Sequence, residues 1–436
     1  MRRNETDEPG YGVRSASIWT RLLGVEHTVI DSVEAEEGEG PEAVGGDVVI
    51  VAHARPVKRR RQRCGICERR CAKYDSGEGR RRWRALDLGA VRAFIEADAP
   101  RVSCPEHGVV VAHVPWARHG AGHTLAFDDT VAWLATHCSK TAVVRLMRTG
   151  WRTVGSICSR VWSDVEQRVD LLAGLRRIGI DEISYKRHHK YLTVVVDHDS
   201  GRLVWAAAGR DTATLRSFFD LLGEERSAKI THVSADAADW IAKVVAERCP
   251  QAVRVMDPFH VVQWATDALD AVRRTVWNAE RGGKGRATPG SKSLKKARWA
   301  LWKRPGDLTE RQRAQLEFIA RAHPVLHRAY LLKEGLRLAL KSGPDTPEAL
   351  WDWVLWARRS RLEPFVKLQR AIVKHWDAIT AAAEHSMSNG LAESMNTKIR
   401  LITRMAFGFK DPAALIALAM LSLGGHRPHL PGRQAA

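Results

Sequence analysis

The stretch RIGIDEISYKRHHKYLTVVVDHDSGRLVWAAAGRD, residues 177–211, carries the decision about the fold. An apolar approach, Ile178 and Ile180, ends on the acidic pair Asp181-Glu182. Two β-rich runs follow, Tyr191 to Val196 and Arg202 to Ala208, parted by Asp197-His198-Asp199-Ser200-Gly201. Branched and aromatic runs separated by Asp, Ser and Gly are the pattern of antiparallel strands joined by a polar turn, so three consecutive strands are expected here. A carboxylate on the first strand of such a meander has a rigid mount. If other carboxylates converge on Asp181, the group can hold divalent cations and serve phosphodiester chemistry. Alone, Asp181 is only a strand-end residue.

Downstream, Thr212 to Leu222 reads as a helix capped by Thr212, and Ile230 to Ser234 as a buried strand ending at Ala235-Asp236. A helix from Ala238 to Glu247 and a strand from Ala252 to Met256 follow, the latter running into Asp257-Pro258-Phe259-His260. Three strands, helix, strand, helix, strand is the order of a ribonuclease-H-like core. In that order the first and fourth strands are neighbours, which brings Asp181 and Asp236 together; Asp257, at another strand end, is a rival for the second position. From Val261 to about Glu384 the period is helical, with Trp264, Trp277, Trp299, Trp302, Trp351, Trp353, Trp356 and Trp376 expected mostly in helix packing. Basic residues lie in the middle of this stretch, Lys292, Lys295, Lys296, Arg298, Lys303 and Arg304; of these Lys295 and Lys296 are candidate DNA contacts, and the loop 281–293 is a candidate phosphate contact. Next, SMSNGLAESMNTKIR, residues 386–400, reads as a helix capped by Asn389. Glu393, Asn396 and Arg400 recur on one polar face, while Leu391, Met395 and Ile399 point inward. A carboxylate flanked by amide and guanidinium suits metal and phosphate, although the same spacing serves an ordinary surface helix. A last helix spans Asp411 to Leu423.

Upstream, Cys64-Gly65-Ile66-Cys67 and Cys104-Pro105-Glu106-His107 form two knuckles able to make a tetrahedral Cys₃His zinc site once a hairpin joins them. Cys71 is a spare thiol and a possible substitute ligand. Four protein ligands leave no open position, so such a zinc is structural. Basic runs flank it: Arg59, Arg60, Arg61 and Arg63 on one side, Arg80 to Arg84 within the hairpin, as phosphate contacts or as solvated surface. From Asp128 to Val169 helical spacing returns. Ser139 can cap a short helix through Met147, Arg148 to Trp151 makes a turn, and Thr153 can cap a second helix. That is the helix-turn-helix arrangement, and it would offer Arg152, Ser156, Ser159 and Arg160 to a DNA groove.

Composition agrees. Among 436 residues, 69 Lys and Arg against 50 Asp and Glu leave a net charge of +19, which favours polyanionic partners, nucleic acid first. Seven cysteines, four of them from Cys64 to Cys104, are too clustered for a disulfide framework and fit a metal better. No apolar run of about 18 residues occurs and Met1-Arg2-Arg3 leads into polar sequence, so a cytoplasmic, nucleoid-associated protein is expected.

Together these residues resemble the insertion-sequence DDE transposases of the ISL-three family. The distinctive pieces are Cys64-x-x-Cys67 with Cys104-Pro105-x-His107-Gly108, Gly179-Ile180-Asp181-Glu182, Ser234-Ala235-Asp236, Asp257-Pro258-Phe259-His260 and Ser388-Asn389-Gly390-Leu391-Ala392-Glu393-Ser394-Met395-Asn396. The resemblance implies an α+β multidomain chain: an N-terminal zinc-binding β module, a helix-turn-helix, and a ribonuclease-H-like α/β core interrupted by an all-helical insertion. Its expected segments are a disordered 1–20, the zinc module 21–120, the helix-turn-helix 121–172, the core 173–262 and 385–424, the insertion 263–384 and a tail 425–436. Asp181, Asp236 and Glu393 carry over as the triad holding catalytic Mg²⁺ or Mn²⁺. Glu182, Asp257, His260, Asn396 and Arg400 become residues that orient carboxylates or touch phosphate. The expected activity is strand cleavage and transfer at terminal inverted repeats of double-stranded DNA, by a homodimer or higher oligomer. A silent DNA-binding regulator and a metal-dependent nuclease are the alternatives.

Overall fold

The computed structural model describes residues 15–37, 48–186, 190–281, 294 and 296–433. Lys292, Lys295, nearly all of the basic loop 281–293, most of the expected disordered N-terminus and the last three residues lie outside them. The chain divides into two compact units, Met1–Asp170 with Ile402–Ala436, and Leu171–Leu401.

In the first unit a helix, Ser15–Leu22, already begins within the segment expected to be disordered. Seven strands follow: β1 (Thr28–Glu37), β2 (Val48–Pro56), β3 (Ala72–Asp75), β4 (Arg80–Arg84), β5 (Arg92–Asp98), β6 (Arg101–Cys104) and β7 (Gly108–Val111). They make a sheet ordered β1-β2-β5-β4 and an antiparallel sheet ordered β3-β6-β7. Alternation explains the first core: Ala93, Ile95 and Ala97 of β5 point inward and pack with Ala52, Trp83 and Trp116. Trp83 and Trp116 meet edge to face at 5.6 Å.

Three helices come next. Thr124 caps Leu125–His137 by accepting from the Phe127 N–H, and Ser139 caps Lys140–Leu146 by accepting from Ala142. Arg148, at φ 45°, turns the chain, and the third helix spans Trp151–Arg168 with Gly150 as its N-cap. The expected cap, Thr153, instead lies inside the first turn. Val154, Ile157, Cys158, Val161 and Trp162 form its buried stripe. The helix Pro412–Leu423, expected with the catalytic segment, packs on Leu125–His137 and Trp151–Arg168. Its sequence PAALIALAMLSL is apolar on every side, so it needs cover on several faces.

In the second unit the meander forms β8 (Arg177–Lys186), β9 (Lys190–Asp197) and β10 (Arg202–Ala208), followed by β11 (His232–Ala235) and β12 (Val253–Met256). The sheet order is β10-β9-β8-β11-β12. β8 pairs antiparallel with β9 and parallel with β11, so the first and fourth strands lie side by side. Period-two alternation splits β8 between two faces. Ile178 and Ile180 enter a core with Leu215, Phe218, Phe219, Ile241 and Val244, from the helices Thr212–Leu222 and Asp239–Arg248. Gly179 and Asp181 face the other way. The first of those helices is capped by Asp211, not Thr212: the Asp211 carboxylate accepts from the Thr214 N–H at 2.8 Å.

Beyond β12 the chain is helical: Pro258–Ala279, Arg298–Trp302, Glu310–Ala322, Pro324–Ala339, Thr346–Arg359, Glu363–Lys374, Trp376–Glu384 and Gly390–Met405. Of the eight tryptophans expected in packing, only Trp353 is fully buried, its indole N–H donating to Leu332 O at 2.7 Å. Trp264, Trp277, Trp302 and Trp376 pack partly against the same core. Trp299, Trp351 and Trp356 are 60%, 49% and 41% exposed, which corrects the expectation for them. Helical spacing alone does not say which side of a helix another helix will cover.

Candidate functional site

Two clusters of ligand-type side chains match positions singled out from sequence. In the first, Cys64, Cys67, Cys104 and His107 bring their ligand atoms within 4.8 Å of one another. The Cys67–Cys104 sulfurs are 3.8 Å apart, and His107 Nδ1 lies 3.8 Å from Cys64 Sγ and 3.6 Å from Cys104 Sγ. A tetrahedron with metal–sulfur bonds of about 2.3 Å and metal–nitrogen bonds of about 2.0 Å requires sulfur–sulfur edges of about 3.8 Å and sulfur–nitrogen edges of about 3.5 Å, so the residues fit zinc. The Ile66 N–H donates to Cys64 Sγ at 3.4 Å. Against the cost of burial, the His107 backbone N–H and imidazole bring the Cys104 thiol down to about 6. Cys71 stands outside the group and donates its S–H to Arg69 O at 3.3 Å.

The second cluster is acidic. Asp181 Oδ1 accepts from the Glu182 N–H and Oδ2 from Asn396 Nδ2, both at 2.8 Å. Asp236, just past β11, accepts from the Ala238 N–H at 2.9 Å. Asp257 caps the helix Pro258–Ala279 through the Phe259 N–H at 3.1 Å. Ligand atoms of Asp257, His260 and Glu393 lie within 4.8 Å of one another. The rival Asp257 is therefore part of the site and stands directly beside Glu393.

Burial and neighbouring charge shift the titration of Asp181, Glu182 and His260. Burial, with the charges of Glu182 and Asp236, pushes Asp181 up to about 6 against the pull of the Glu182 N–H and His260. Burial and Asp236 also raise Glu182, opposed by Arg210, whose Nε lies 3.0 Å from Glu182 Oε1. The neighbouring carboxylate of Asp257, with those of Asp236 and Glu393, raises His260. Asn396 is 2% exposed, and its Oδ1 is buried without a partner. Hard carboxylate oxygens carrying excess negative charge, beside an orphaned amide oxygen, are a donor set that fits divalent cations of the Mg²⁺ or Mn²⁺ type.

The raised Asp181 pKa gives a signed prediction. The carboxyl is protonated below about 6 and charged above it, so cation binding must weaken as pH falls through that value. Thermal-shift titrations with MnCl₂ at about pH 5 and about pH 8 will show the weaker apparent affinity at the lower pH. Equal affinities would remove Asp181 as a ligand.

The candidate DNA-facing residues divide. Arg152 and Ser156 are exposed on the Trp151–Arg168 helix. Arg160 is not: its Nη2 lies 3.2 Å from Oδ1 of Asp128, which is fully buried, so Arg160 neutralises that carboxylate instead of presenting itself outward. Ser159, half-buried, donates to Gly155 O. Arg59 and Arg61 are exposed, although Arg61 donates to Pro56 O. Arg60 pairs with Glu68 at 3.1 Å, and Arg63 donates to Glu68 O at 2.8 Å, bracing the knuckle turn. Arg80 and Arg82 pair with Glu96 across the sheet, and Arg84 is buried against Asp87. Lys296 and Arg400 are exposed. Sequence reading missed Ser234, His198 and the true role of Asn389. Asn389 stands just before the Gly390–Met405 helix and its carbonyl accepts from the Glu393 N–H, while its side-chain amide lies fully buried between Ser234 and Ile180.

Comparison with known proteins agrees with the modular reading. Residues 60–107 match the model for the zinc-finger of transposases IS204, IS1001, IS1096 and IS1165. Residues 112–162 match the helix-turn-helix domain of transposase family ISL3, and residues 178–419 the ISL3 DDE model, described as a transposase. These define a transposase of an insertion sequence, with a zinc ribbon, a helix-turn-helix and a transposase catalytic domain. The chain belongs to the ISL3 (ISL-three) family. It is 58% identical over 440 residues to the transposase for insertion sequence element IS1557 of Mycobacterium tuberculosis, covering 97% of this chain and 98% of that one. It is 25% identical over 361 residues to the transposase for IS1001 of Bordetella parapertussis, covering 80% of this chain and 85% of that one. Among the described residues, no helix is long and apolar enough to cross a membrane.

Proposed function

We propose that this chain binds the terminal inverted repeats of its insertion sequence and cuts and joins DNA strands at a site built on Asp181, Asp236 and Glu393. Residues 173–262 with the Gly390–Met405 helix are read as a ribonuclease-H-like core, and residues 263–384 as its helical insertion. The sheet order β10-β9-β8-β11-β12, antiparallel on one side of β8 and parallel on the other, supports that reading. The observation that carries the function is the Asn396–Asp181 hydrogen bond, 2.8 Å, which ties the helix bearing Glu393 to the strand bearing Asp181.

Asp181, Asp236 and Glu393 would hold divalent cations, Mg²⁺ or Mn²⁺. Such ions, when bound, activate the attacking oxygen and stabilise the leaving one. Asn396 orients Asp181. Glu182, held by Arg210, keeps additional negative charge beside the site, and Asp257 and His260 flank Glu393. Arg400, exposed one turn or so beyond Asn396, is placed for phosphate. Zinc on Cys64, Cys67, Cys104 and His107 would brace the module that, with Arg59, Arg61, Arg152 and Ser156, contacts duplex DNA. Two or more copies act together on the element's two ends.

The direct test incubates the protein with labelled DNA flanking the coding sequence, with and without Mg²⁺, and maps the nicks. Metal-dependent nicks at the repeat ends, followed by joined products, are expected. Sequence-specific binding without nicks in either Mg²⁺ or Mn²⁺ would leave a DNA-binding regulator. Nicks that follow DNA structure and ignore the repeats would make the chain a nuclease.

A further inference from the structure

Three chain segments far apart in sequence supply the acidic site, and one buried chain of side-chain hydrogen bonds touches all three. Ser234, two residues before Asp236, donates its hydroxyl to Asn389 Oδ1 at 2.8 Å. Asn389 Nδ2 donates to the carbonyl of Ile180, the residue before Asp181, at 3.4 Å. Asn389 also lies one helical turn ahead of Glu393, whose N–H donates to Asn389 O at 3.0 Å. Behind Ser234, His198 Nε2 stands 2.8 Å from its Oγ. With the Ser234 proton committed to Asn389, His198 is the donor in that contact.

The place of this chain in the sheet explains why it exists. The β8–β11 ladder ends at the pair Gly179–Ser234, so Ile180 has no β11 partner on that edge. The Asn389 amide takes the position that a longer β11 would have filled. Gly179 leaves room for it: a Cβ there would fall 2.9 Å from His198 Nε2 and 3.1 Å from Ser234 Oγ. Ser234 and Asn389 are both fully buried, where an unmade hydrogen bond is costly, so the three bonds hold as a set.

We propose that His198, Ser234 and Asn389 are positioning residues that fix the Glu393 helix against the strands of Asp181 and Asp236. The inference rests on the acidic site being the catalytic one. Side chains behind metal ligands characteristically change metal affinity or activity by about 10–100-fold when removed.

The test uses the full-length chain and a supercoiled plasmid carrying the coding sequence with its flanking DNA, with MnCl₂ titrated. Ser234→Ala and Asn389→Ala are expected to nick about tenfold more slowly and to need about tenfold more Mn²⁺ for half-maximal rate, with His198→Phe showing a smaller shift in the same direction. Binding to the flanking DNA is expected to stay near that of the unaltered chain, while melting falls modestly because each variant leaves a buried polar partner unpaired. A merely structural network would move melting and leave the Mn²⁺ dependence of the folded fraction alone. Ser234→Ala removes a single oxygen and keeps the test valid where Asn389→Ala folds poorly. Unchanged Mn²⁺ half-saturation in Ser234→Ala, or loss of folding in both variants, overturns the proposal. Asp181→Asn, assayed alongside, separates the two readings: full nicking by it removes the acidic site itself, whereas its inactivity beside fully active Ser234→Ala removes only the positioning role.

Discussion

Asp181→Asn, Asp236→Asn and Glu393→Gln should each lower metal-dependent nicking by about a thousandfold or more, the loss of several kcal/mol of transition-state stabilisation. The three differ in what else they do. Asp181 is held at about 6 by burial and by the charges of Glu182 and Asp236, so its ionised form is destabilising in the folded protein. A carboxylate whose folded pKa is raised costs stability as pH climbs from the unfolded value to the folded one, and that cost persists at neutral pH. Asn removes it. Asn396, whose Oδ1 has no partner, can turn its amide to accept from the new N–H. Asp181→Asn should therefore melt higher than the unaltered chain at about pH 7.5 without metal, by an amount on the order of 1–3 kcal/mol, and gain less from added Mn²⁺. Asp257→Asn settles the rival. It keeps an oxygen for the Phe259 N–H while losing the charge beside Glu393. An active Asp236→Asn beside a dead Asp257→Asn would give the second position to Asp257.

Loss of zinc should have an effect as large on the N-terminal module. Cys64→Ser or Cys104→Ser is expected to release the ion and unfold the knuckle that joins β3, β6 and β7, since structural zinc contributes on the order of 10 kcal/mol to folding. The readout is metal content per chain together with binding to the flanking DNA, and both should fall. Cys71→Ser should keep its zinc, because Cys71 lies outside the ligand group and spends its proton on Arg69 O. Stoichiometric zinc in Cys104→Ser, or its loss from Cys71→Ser, would reassign the ligands.

Local chemistry made some of this legible from the chain alone. The knuckle spacing from Cys64 to Cys67 and from Cys104 to His107, the polar turn Asp197 to Gly201, and Ser139 as a cap all depend on residues within a few positions of one another. The structure has β8, β9 and β10 where the meander was expected. Short-range readings failed where a distant partner intervened. Ser388-Asn389-Gly390 reads locally as a cap, yet the Asn389 side chain is drawn to Ser234 and Ile180 by bonds that no neighbouring sequence reveals. Arg160 has the spacing of a groove-facing residue on the Trp151–Arg168 helix. The buried carboxylate of Asp128, on another helix, claims it. Trp299, Trp351 and Trp356 have helical spacing yet remain exposed.

What the amino-acid sequence determined by itself was the kind of parts: a Cys₃His knuckle, a capped helix pair, a β meander with a carboxylate on its first strand, and a later helix bearing Glu393. These follow from covalent spacing, turn chemistry and hydrophobic period, which act over a few residues. Only the tertiary structure decided which groups share a site. Asp257, His260 and Glu393 stand together, while the parallel pairing of β8 and β11 sets the strand of Asp181 beside that of Asp236 and Asn396 bonds the Gly390–Met405 helix onto β8. The raised Asp181 pKa exists only once the fold buries that carboxyl and sets Glu182 and Asp236 beside it.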